Sequence, residues 1–101
     1  MFTQKHELIQ WAAIRANFTQ AAMRRALDAI VSVIVDKVSV GESVRINNFG
    51  TFYRESRAAR TGRNPKTGAA VPIPARHRPS FKAGKEFFEI TQEMARDHEH
   101  D

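Results

Sequence analysis

The sequence predicts an α+β fold: a helical hairpin, then a three-stranded antiparallel sheet with a long β-ribbon arm, and finally a C-terminal helix. Three observations predict it. Apolar residues recur at helical spacing over residues 3–38, alternate at strand spacing over residues 44–53, and return to helical spacing after residue 83. The 101 residues are enough for one domain, and a hydrophobic content of 42% is enough for a folded core.

The first forty residues predict two helices joined by a short link. Thr3 and Thr19 are the expected N-caps, because a threonine hydroxyl accepts a hydrogen bond from an early helical N–H. The segment "AIVSVIV" (residues 29–35) is rich in β-branched residues and would also suit a strand. The unbroken helical period over twenty residues favours a helix there.

The sheet begins after Gly41, which ends the second helix. Val44 and Ile46 alternate with polar residues, as expected of a half-buried strand. The sequence "NNFGTFY" then predicts a tight turn into a second strand. Asn48 is expected to have a positive φ, which asparagine tolerates better than any residue except glycine.

Residues 54–79 predict the arm, a basic two-stranded ribbon that turns at Asn64–Gly68. Pro72 and Pro74 direct their missing N–H groups to the same edge, because strand geometry repeats every two residues. Pro79 has the opposite parity. The ribbon is therefore expected to be interrupted by a bulge, or to end, before Pro79.

The segment "AGKEFFEITQEMA" (residues 83–95) predicts a third helix. Its expected inner positions are Phe87, Phe88, Thr91 and Met94. The polar end of the chain, "RDHEHD", is expected to be frayed.

The net charge of +5 is unevenly distributed along the chain. Residues 1–53 have a net charge of +2, residues 54–85 have +8 from nine cations and one acid, and residues 86–101 have −5. Held together without counter-charges, the cations of the arm repel one another, so an anionic partner such as nucleic acid is the natural complement. A solvated charged loop is the alternative.

Other classes of function find little support in the sequence. The absence of cysteine excludes disulfides and thiolate sites. The four histidines are scattered along the chain, and no serine or carboxylate pair has a spacing that suggests a catalytic triad or a metal cage. We expect no enzyme, cofactor, metal site or small-molecule substrate; the histidines of residues 98–101 lack the preformed geometry of a metal site. No apolar run approaches 18 residues and the N-terminus lacks a signal-peptide pattern, so a cytoplasmic protein without membrane contact is expected.

Duplex DNA is a better candidate than RNA. RNA-binding modules interleave aromatic side chains with basic ones for base stacking, whereas residues 54–80 contain no aromatic side chain except His77. Pro65, at the predicted tip, could wedge between base pairs, or it could serve the turn alone, and the residues by themselves leave both possibilities open.

The chain without its arm is near the size at which a single core gives only marginal stability. Yet it contains Trp11, seven phenylalanines and a β-branched helix face. An interlocked homodimer would bury this excess of apolar surface. A small monomer with some aromatic surface is the alternative.

Four segments together resemble the HU/integration host factor family of bacterial histone-like DNA-bending proteins. They are "FGTF" (residues 49–52), "RAARTGRNPKTG" (57–68), "VPIPA" (71–75) and "PSFKAGK" (79–85). The "KHELI" and "GESVRI" segments also fit, so the resemblance covers about residues 5–92.

The resemblance implies an HU-like DNA-binding domain over residues 1–92, followed by an acidic extension over residues 93–101. It implies an intertwined homodimer or heterodimer whose two arms clasp duplex DNA through the minor groove, with Pro65 as the intercalating tip. Phe49, Phe52 and Phe81 match the core aromatics of the family. The residues expected to contact DNA are Arg54, Arg57, Arg60, Arg63, Asn64, Pro65, Lys66, Arg76, Arg78, Lys82 and Lys85.

The function implied is non-enzymatic compaction of the nucleoid with low sequence specificity and a preference for bent, nicked or mismatched DNA. The alternative is a sequence-selective bender of the integration host factor type; an RNA-binding module is less well supported. Two features depart from the family. Asn48 stands where a glycine is usual, and the acidic extension either competes with DNA for the arm or serves as a frayed, solubilising end.

Overall fold

The structure, a computed structural model, describes residues 2–99 and has the predicted α+β class. Its elements in chain order are α1 (Lys5–Ala16), α2 (Gln20–Ser39), β1 (Val44–Ile46), β2 (Gly50–Arg57), β3 (Arg60–Arg63), β4 (Ala70–Ile73), β5 (Arg76–Ala83) and α3 (Lys85–Glu99). They form two compact units with the boundary between Asp36 and Lys37.

The first unit is the helical hairpin of α1 and most of α2. Ile9 and Ala13 are buried on one side of α1. An ion pair of 2.7 Å between Lys5 Nζ and Asp28 Oδ1 links the two helices. Asn17, in the left-handed conformation with a φ of 56°, ends α1 and lets the chain reverse.

One of the two predicted helix caps is correct. The hydroxyl of Thr19 accepts a hydrogen bond of 3.1 Å from the N–H of Ala22, which confirms Thr19 as the N-cap of α2. Thr3 is not the N-cap of α1. The N–H of Leu8 donates to the carbonyl of Gln4, so the helical ladder begins one residue later than the prediction and Gln4 is the cap.

The second unit begins at Lys37, in the last turn of α2, and Gly41, which has a φ of 93°, follows the end of that helix. Its main sheet is antiparallel in the order β1–β2–β5, and a separate two-stranded sheet pairs β3 with β4. Asn48 lies in the turn between β1 and β2 with a φ of 65°, as the sequence predicts.

Four phenylalanines form the aromatic cluster of this unit. The ring of Phe81 lies 4.8 Å from that of Phe52 and 5.2 Å from that of Phe49, and Phe87 stacks on Phe49 at 5.4 Å. The three expected core aromatics thus pack together, but Phe49 and Phe81 each remain 40% exposed in the single chain. Gly50 permits the packing, because a Cβ there would stand 2.5 Å from the Phe81 ring.

The prediction for the inner face of α3 is correct for Phe87 and wrong for the other three positions within the single chain. Phe88 is 57% exposed and Met94 60% exposed, while the exposed Thr91 hydroxyl donates to the Phe87 carbonyl of its own helix. Of these four residues, the aromatic cluster includes Phe87 alone. The helix runs to Glu99, and His100 and Asp101 of the extension lie outside the described residues.

The arm is interrupted before Pro79, as predicted, but not by a bulge. Arg57 lies opposite Arg76 and Arg60 lies opposite Ile73, so each leg leaves the ladder for two residues. The gap is therefore symmetrical. It divides the arm into a stem, the outer part of β2 with β5, and a tip, β3 with β4.

The gap also reconciles the three prolines with the ladder. The Asn64 N–H donates to the Ala69 carbonyl in the tip, and the Gly84 N–H donates to the Phe49 carbonyl at the base of the stem. Both pairs follow one register, but on the outgoing leg the hydrogen-bonded residue is even-numbered in the tip (Asn64) and odd-numbered at the base of the stem (Phe49). On the returning leg, the hydrogen-bonded positions are therefore odd-numbered in the tip and even-numbered in the stem. Pro72 in the tip and Pro79 in the stem both lie at positions without a ladder hydrogen bond, so their missing N–H groups leave the ladder intact.

Much apolar surface remains uncovered in the single chain. Among the described residues, the buried hydrophobic side chains are Ile9, Ala13 and Val38. Large apolar side chains that are at least half exposed occur on all three helices: Leu8, Trp11, Ile14, Ile30, Val33, Val35, Phe88, Ile90 and Met94.

Candidate nucleic-acid interface

The tip of the arm is a compact turn that presents Pro65. The Asn64 side chain accepts a hydrogen bond of 2.9 Å from the Lys66 N–H, and the Asn64 carbonyl accepts one of 2.7 Å from the Gly68 N–H. These bonds fix the backbone on both sides of the proline. Pro65 itself is exposed at the end of the ribbon, where its ring is a rigid apolar surface without a donor.

Three cations of the arm are engaged within the protein. Arg54 donates from Nη1 to the Ser39 carbonyl at 3.1 Å, and Arg63 donates to the Gly68 carbonyl at 3.2 Å. The third, Arg78, is paired with a carboxylate. The structure thus places Arg54 at the C-terminus of α2, where a cation complements the unpaired carbonyls and the helix dipole.

Glu55 is the carboxylate that engages Arg78. Its Oε2 accepts a hydrogen bond of 2.5 Å from Arg78 Nε and one of 3.3 Å from the Ser80 hydroxyl. The hydrogen bond and the charge of Arg78 hold the pKa of Glu55 below its usual value, with a smaller contribution from Arg57. Next to this pair, Ser56 Oγ lies 2.8 Å from a ring nitrogen of His77.

The remaining cations of the arm are exposed and, among residues 2–96, whose side chains the structure describes, make no side-chain hydrogen bond or ion pair. They are Arg57, Arg60, Lys66 and Arg76. The Arg57–Arg76 register brings two of these side chains to the same face of the stem. Cations in this state are available to an external anion.

A second basic area lies on the main sheet. Arg45 lies opposite Thr51, and Thr51 lies opposite Lys82, so these side chains form a row across the three strands. A shallow cleft lined by this row also includes Lys85, at the start of α3. Lys82 and Lys85 are predicted from the sequence, whereas Arg45 was missed, although its alternation with Val44 and Ile46 places it on the polar face of β1.

These features define a class of protein. A ribbon with free cations along both legs and a rigid apolar tip is typical of proteins that follow a nucleic-acid groove. In the described part of the chain, no three side chains of histidine, aspartate or glutamate are placed to share a metal ion. Among the helices that the structure describes, none combines the length and apolar character that a membrane crossing requires.

Comparisons with known proteins agree with this class. The family model described as "Bacterial DNA-binding protein" matches residues 3–92. HU-beta of Escherichia coli (strain K12) is 47% identical over 81 residues, which are 80% of this chain and 90% of that protein. HU of Xylella fastidiosa (strain Temecula1) is also 47% identical over 81 residues, 80% of this chain and 86% of its own.

Solved structures give the same result. An Anabaena HU crystallised with DNA has a TM-score of 0.75 and 39% identity, and covers 88% of this chain and 97% of its own. A mutant HU from Thermotoga maritima has a TM-score of 0.66 and 25% identity, and covers 88% of this chain and 99% of its own. The chain belongs to the bacterial DNA-binding protein family of HU and integration host factor, whose members are architectural proteins without enzymatic activity.

Proposed function

We propose that the chain acts as a homodimer that clasps duplex DNA through the minor groove with two arms and stabilises bends in it. Specificity for sequence is low in this proposal, and the role is compaction of DNA in the bacterial nucleoid. The arm carries the proposal: free cations lie along both of its legs, and an exposed proline stands at its tip.

The exposed apolar surface supports the dimer. Ile30 and Val33 on α2 are 55% and 54% exposed, and Ile90 and Met94 on α3 are 50% and 60% exposed, so each pair has the spacing of one helix face. Isolated apolar residues at a surface need no explanation, but contiguous apolar helix faces are typical of interfaces. A second copy of the chain would cover such faces and would contribute the second arm.

The arm supports groove binding. A two-stranded ribbon fits a groove of duplex DNA, and the exposed Arg57, Arg60 and Arg76 can neutralise phosphates on either side of it. Pro65 at the tip is suited to enter between base pairs and unstack them. Unstacking costs a few kcal/mol for each step, which the additional contacts of a bent duplex offset.

The preference for deformable DNA follows from the same energetics. A nick, gap or mismatch lowers the free energy needed to kink the duplex, so such sites should bind more tightly than intact DNA. Selection by deformability needs few base-specific contacts, which agrees with an arm whose polar side chains are mainly arginine and lysine.

The proposal is tested by a competition titration of intact duplex against nicked duplex, with the protein mass in solution measured in parallel. We expect the mass of a dimer, tighter binding to the nicked duplex, and a steep loss of affinity between about 50 and 200 mM salt. Equal affinity for the two duplexes would contradict binding driven by kinks. A flat salt dependence would contradict phosphate neutralisation by the arms.

A further inference from the structure

The outer side of α1 carries two large apolar side chains that the chain leaves uncovered. Trp11 is 64% exposed and Ile14 is 73% exposed, whereas Ile9 and Ala13 of the same helix are buried. Trp11 lies two residues from each buried residue, which is a rotation of about 200° around the helix, so it points away from both. Ile14 follows Trp11 by three residues and is its neighbour on that side. Packing within the helical hairpin therefore does not explain either side chain.

The same side of α1 carries one charge near each end. Glu7 lies in the first turn and Arg15 in the last turn. Each is four residues from Trp11, so the three side chains form one row along the helix surface. The Glu7 carboxylate lies 4.0 Å from the ring of its neighbour His6, and Arg15 makes no hydrogen bond or ion pair with the described side chains of residues 2–96. We call Glu7, Trp11, Ile14 and Arg15 the α1 outer face.

The α1 outer face is complementary to itself. When two copies of α1 lie antiparallel with Trp11 at a two-fold axis, residue 7 of one copy is level with residue 15 of the other. A glutamate then meets an arginine at both ends of the contact, and the apolar side chains are covered between them. An interface with two-fold symmetry requires this property, because both copies use the same surface. In a parallel pair, two glutamates would meet at one end and two arginines at the other.

We propose that the α1 outer face binds the same face of a second copy of the chain in antiparallel orientation, with Trp11 at the centre and Glu7 paired with Arg15. This contact is separate from the apolar faces of α2 and α3 that support the proposed homodimer, and it does not depend on DNA. Each homodimer would present the α1 outer face twice, so the contact would join one homodimer to the next. The interface is small, below about 1,200 Å² in total, so the association is weak and depends on protein concentration.

The first experiment follows the mass and the fluorescence of the full-length protein without DNA as its concentration is raised. Trp11 is the sole tryptophan of the chain, so its emission reports on this face directly. We expect a homodimer at low concentration, a larger species at high concentration, and an emission shift to shorter wavelength that accompanies the larger species. Trp11→Gln and Ile14→Gln should remain homodimers throughout. The control Val40→Gln changes an apolar side chain of similar exposure outside the face, and it should retain the larger species.

The second experiment tests the antiparallel pairing by reversing charges. Glu7→Arg places arginine opposite arginine, and Arg15→Glu places glutamate opposite glutamate, so each variant alone should lose the larger species. An equal mixture of the two variants should restore it, because opposite charges then meet at both ends of the contact. Both native charges also complement the dipole of α1, so either substitution could weaken the helix itself. Mixing would not repair a weakened helix, and recovery therefore identifies the intermolecular pair.

Three results would each overturn the inference: no larger species in the wild type, no effect of Trp11→Gln, or no recovery on mixing. An emission shift with phosphatidylglycerol vesicles, but not with protein concentration, would assign the face to a membrane surface instead. The proposed function has its own readout, because Trp11→Gln should keep the mass of a homodimer and the DNA affinity of the wild type. A monomeric Trp11→Gln would show that α1 forms the homodimer interface, and it would remove the second contact.

Discussion

Glu55 is a single carboxylate in a strongly basic segment, and its environment gives it a pH-dependent role. Because its pKa is lowered in the folded state, mainly by the hydrogen bond from Arg78, the ionised form stabilises the fold. This stabilisation is fully present above the unfolded pKa of about 4.3. It is lost as the pH falls through the lower folded value.

We therefore predict that Glu55→Gln lowers the melting temperature at pH 7 and that this difference from the wild type shrinks below about pH 4. The measurement is thermal unfolding followed by circular dichroism across this range. Glu93→Gln is the matched control, an exposed glutamate on α3 that has no ion pair with the described side chains of residues 2–96. A pH-independent difference for Glu55→Gln would contradict the role of its ionisation.

We expect Arg54 to have a different role from the other arginines of the arm. Its guanidinium donates to the Ser39 carbonyl and lies close to Gly41, so it ties β2 to the end of α2. We expect Arg54→Met to reduce the free energy of unfolding by about 1 kcal/mol. The salt dependence of DNA binding should remain unchanged.

The comparison for this test is Arg60→Met, which changes an exposed arginine of the tip. We expect Arg60→Met to leave the stability unchanged within about 0.5 kcal/mol and to flatten the salt dependence. Urea unfolding and DNA titrations at several salt concentrations measure both quantities. A flatter salt dependence for Arg54→Met would support the expected DNA contact of Arg54 instead.

Asn48 occupies a backbone conformation that favours glycine. With a φ of 65°, an alanine Cβ at this position is strained, and we expect Asn48→Ala to destabilise the protein by about 1 kcal/mol. Asn48→Gly should be neutral or slightly stabilising, because glycine adopts positive φ without steric cost. Urea unfolding of both variants measures the difference, and equal stabilities would show that the turn relaxes.

At the scale of elements, hydrophobic periodicity predicted most of the fold. All three helices and the ribbon are correct in type, because each has a clear period or turn signal. The errors occur where tertiary contacts decide. Phe88 and Met94 have the helical spacing of core residues, yet both are more than half exposed in the single chain. Of the four α3 residues predicted to face inward, Phe87 is the one that packs in the aromatic cluster.

The candidate site was predictable in composition but not in the state of its side chains. The basic run and the position of Pro65 are visible in the sequence. Which arginines are free depends on cross-strand register, which pairs Glu55 with Arg78 and Arg57 with Arg76. Because the gap removes two residues from each leg, the register of the stem continues into the tip. The spacing of the prolines indicated that the ribbon is interrupted, but it did not show that the interruption is a symmetrical gap.

The tip of the arm is the element whose change should separate bending from binding. We expect Pro65→Ala to reduce the DNA bend more than the affinity, because the phosphate contacts of the legs remain while the rigid wedge is removed. The bend is measured by energy transfer between dyes at the two DNA ends. Lys66→Ala is the control at the same turn, and it should weaken affinity and the salt dependence together. Undiminished bending by Pro65→Ala would exclude the wedge.

At the scale of the whole molecule, charge is separated along the chain. Residues 54–85 have a net charge of +8, and residues 86–101 have −5. This separation makes the acidic C-terminal part a potential competitor of DNA for the basic arm. The competition is electrostatic, so it depends on salt and has little effect once the Debye length falls to about 8 Å at physiological ionic strength.

Deletion of residues 95–101 should therefore tighten DNA binding at low salt and have no effect at physiological salt, as measured by titration with a nicked duplex. The full-length variant with Asp97→Asn, Glu99→Gln and Asp101→Asn removes the negative charge without shortening the chain, and it should reproduce the deletion. If the deletion alone changes affinity, the length of the chain matters rather than its charge. Unchanged affinity in both variants would identify the acidic end as a solubilising segment.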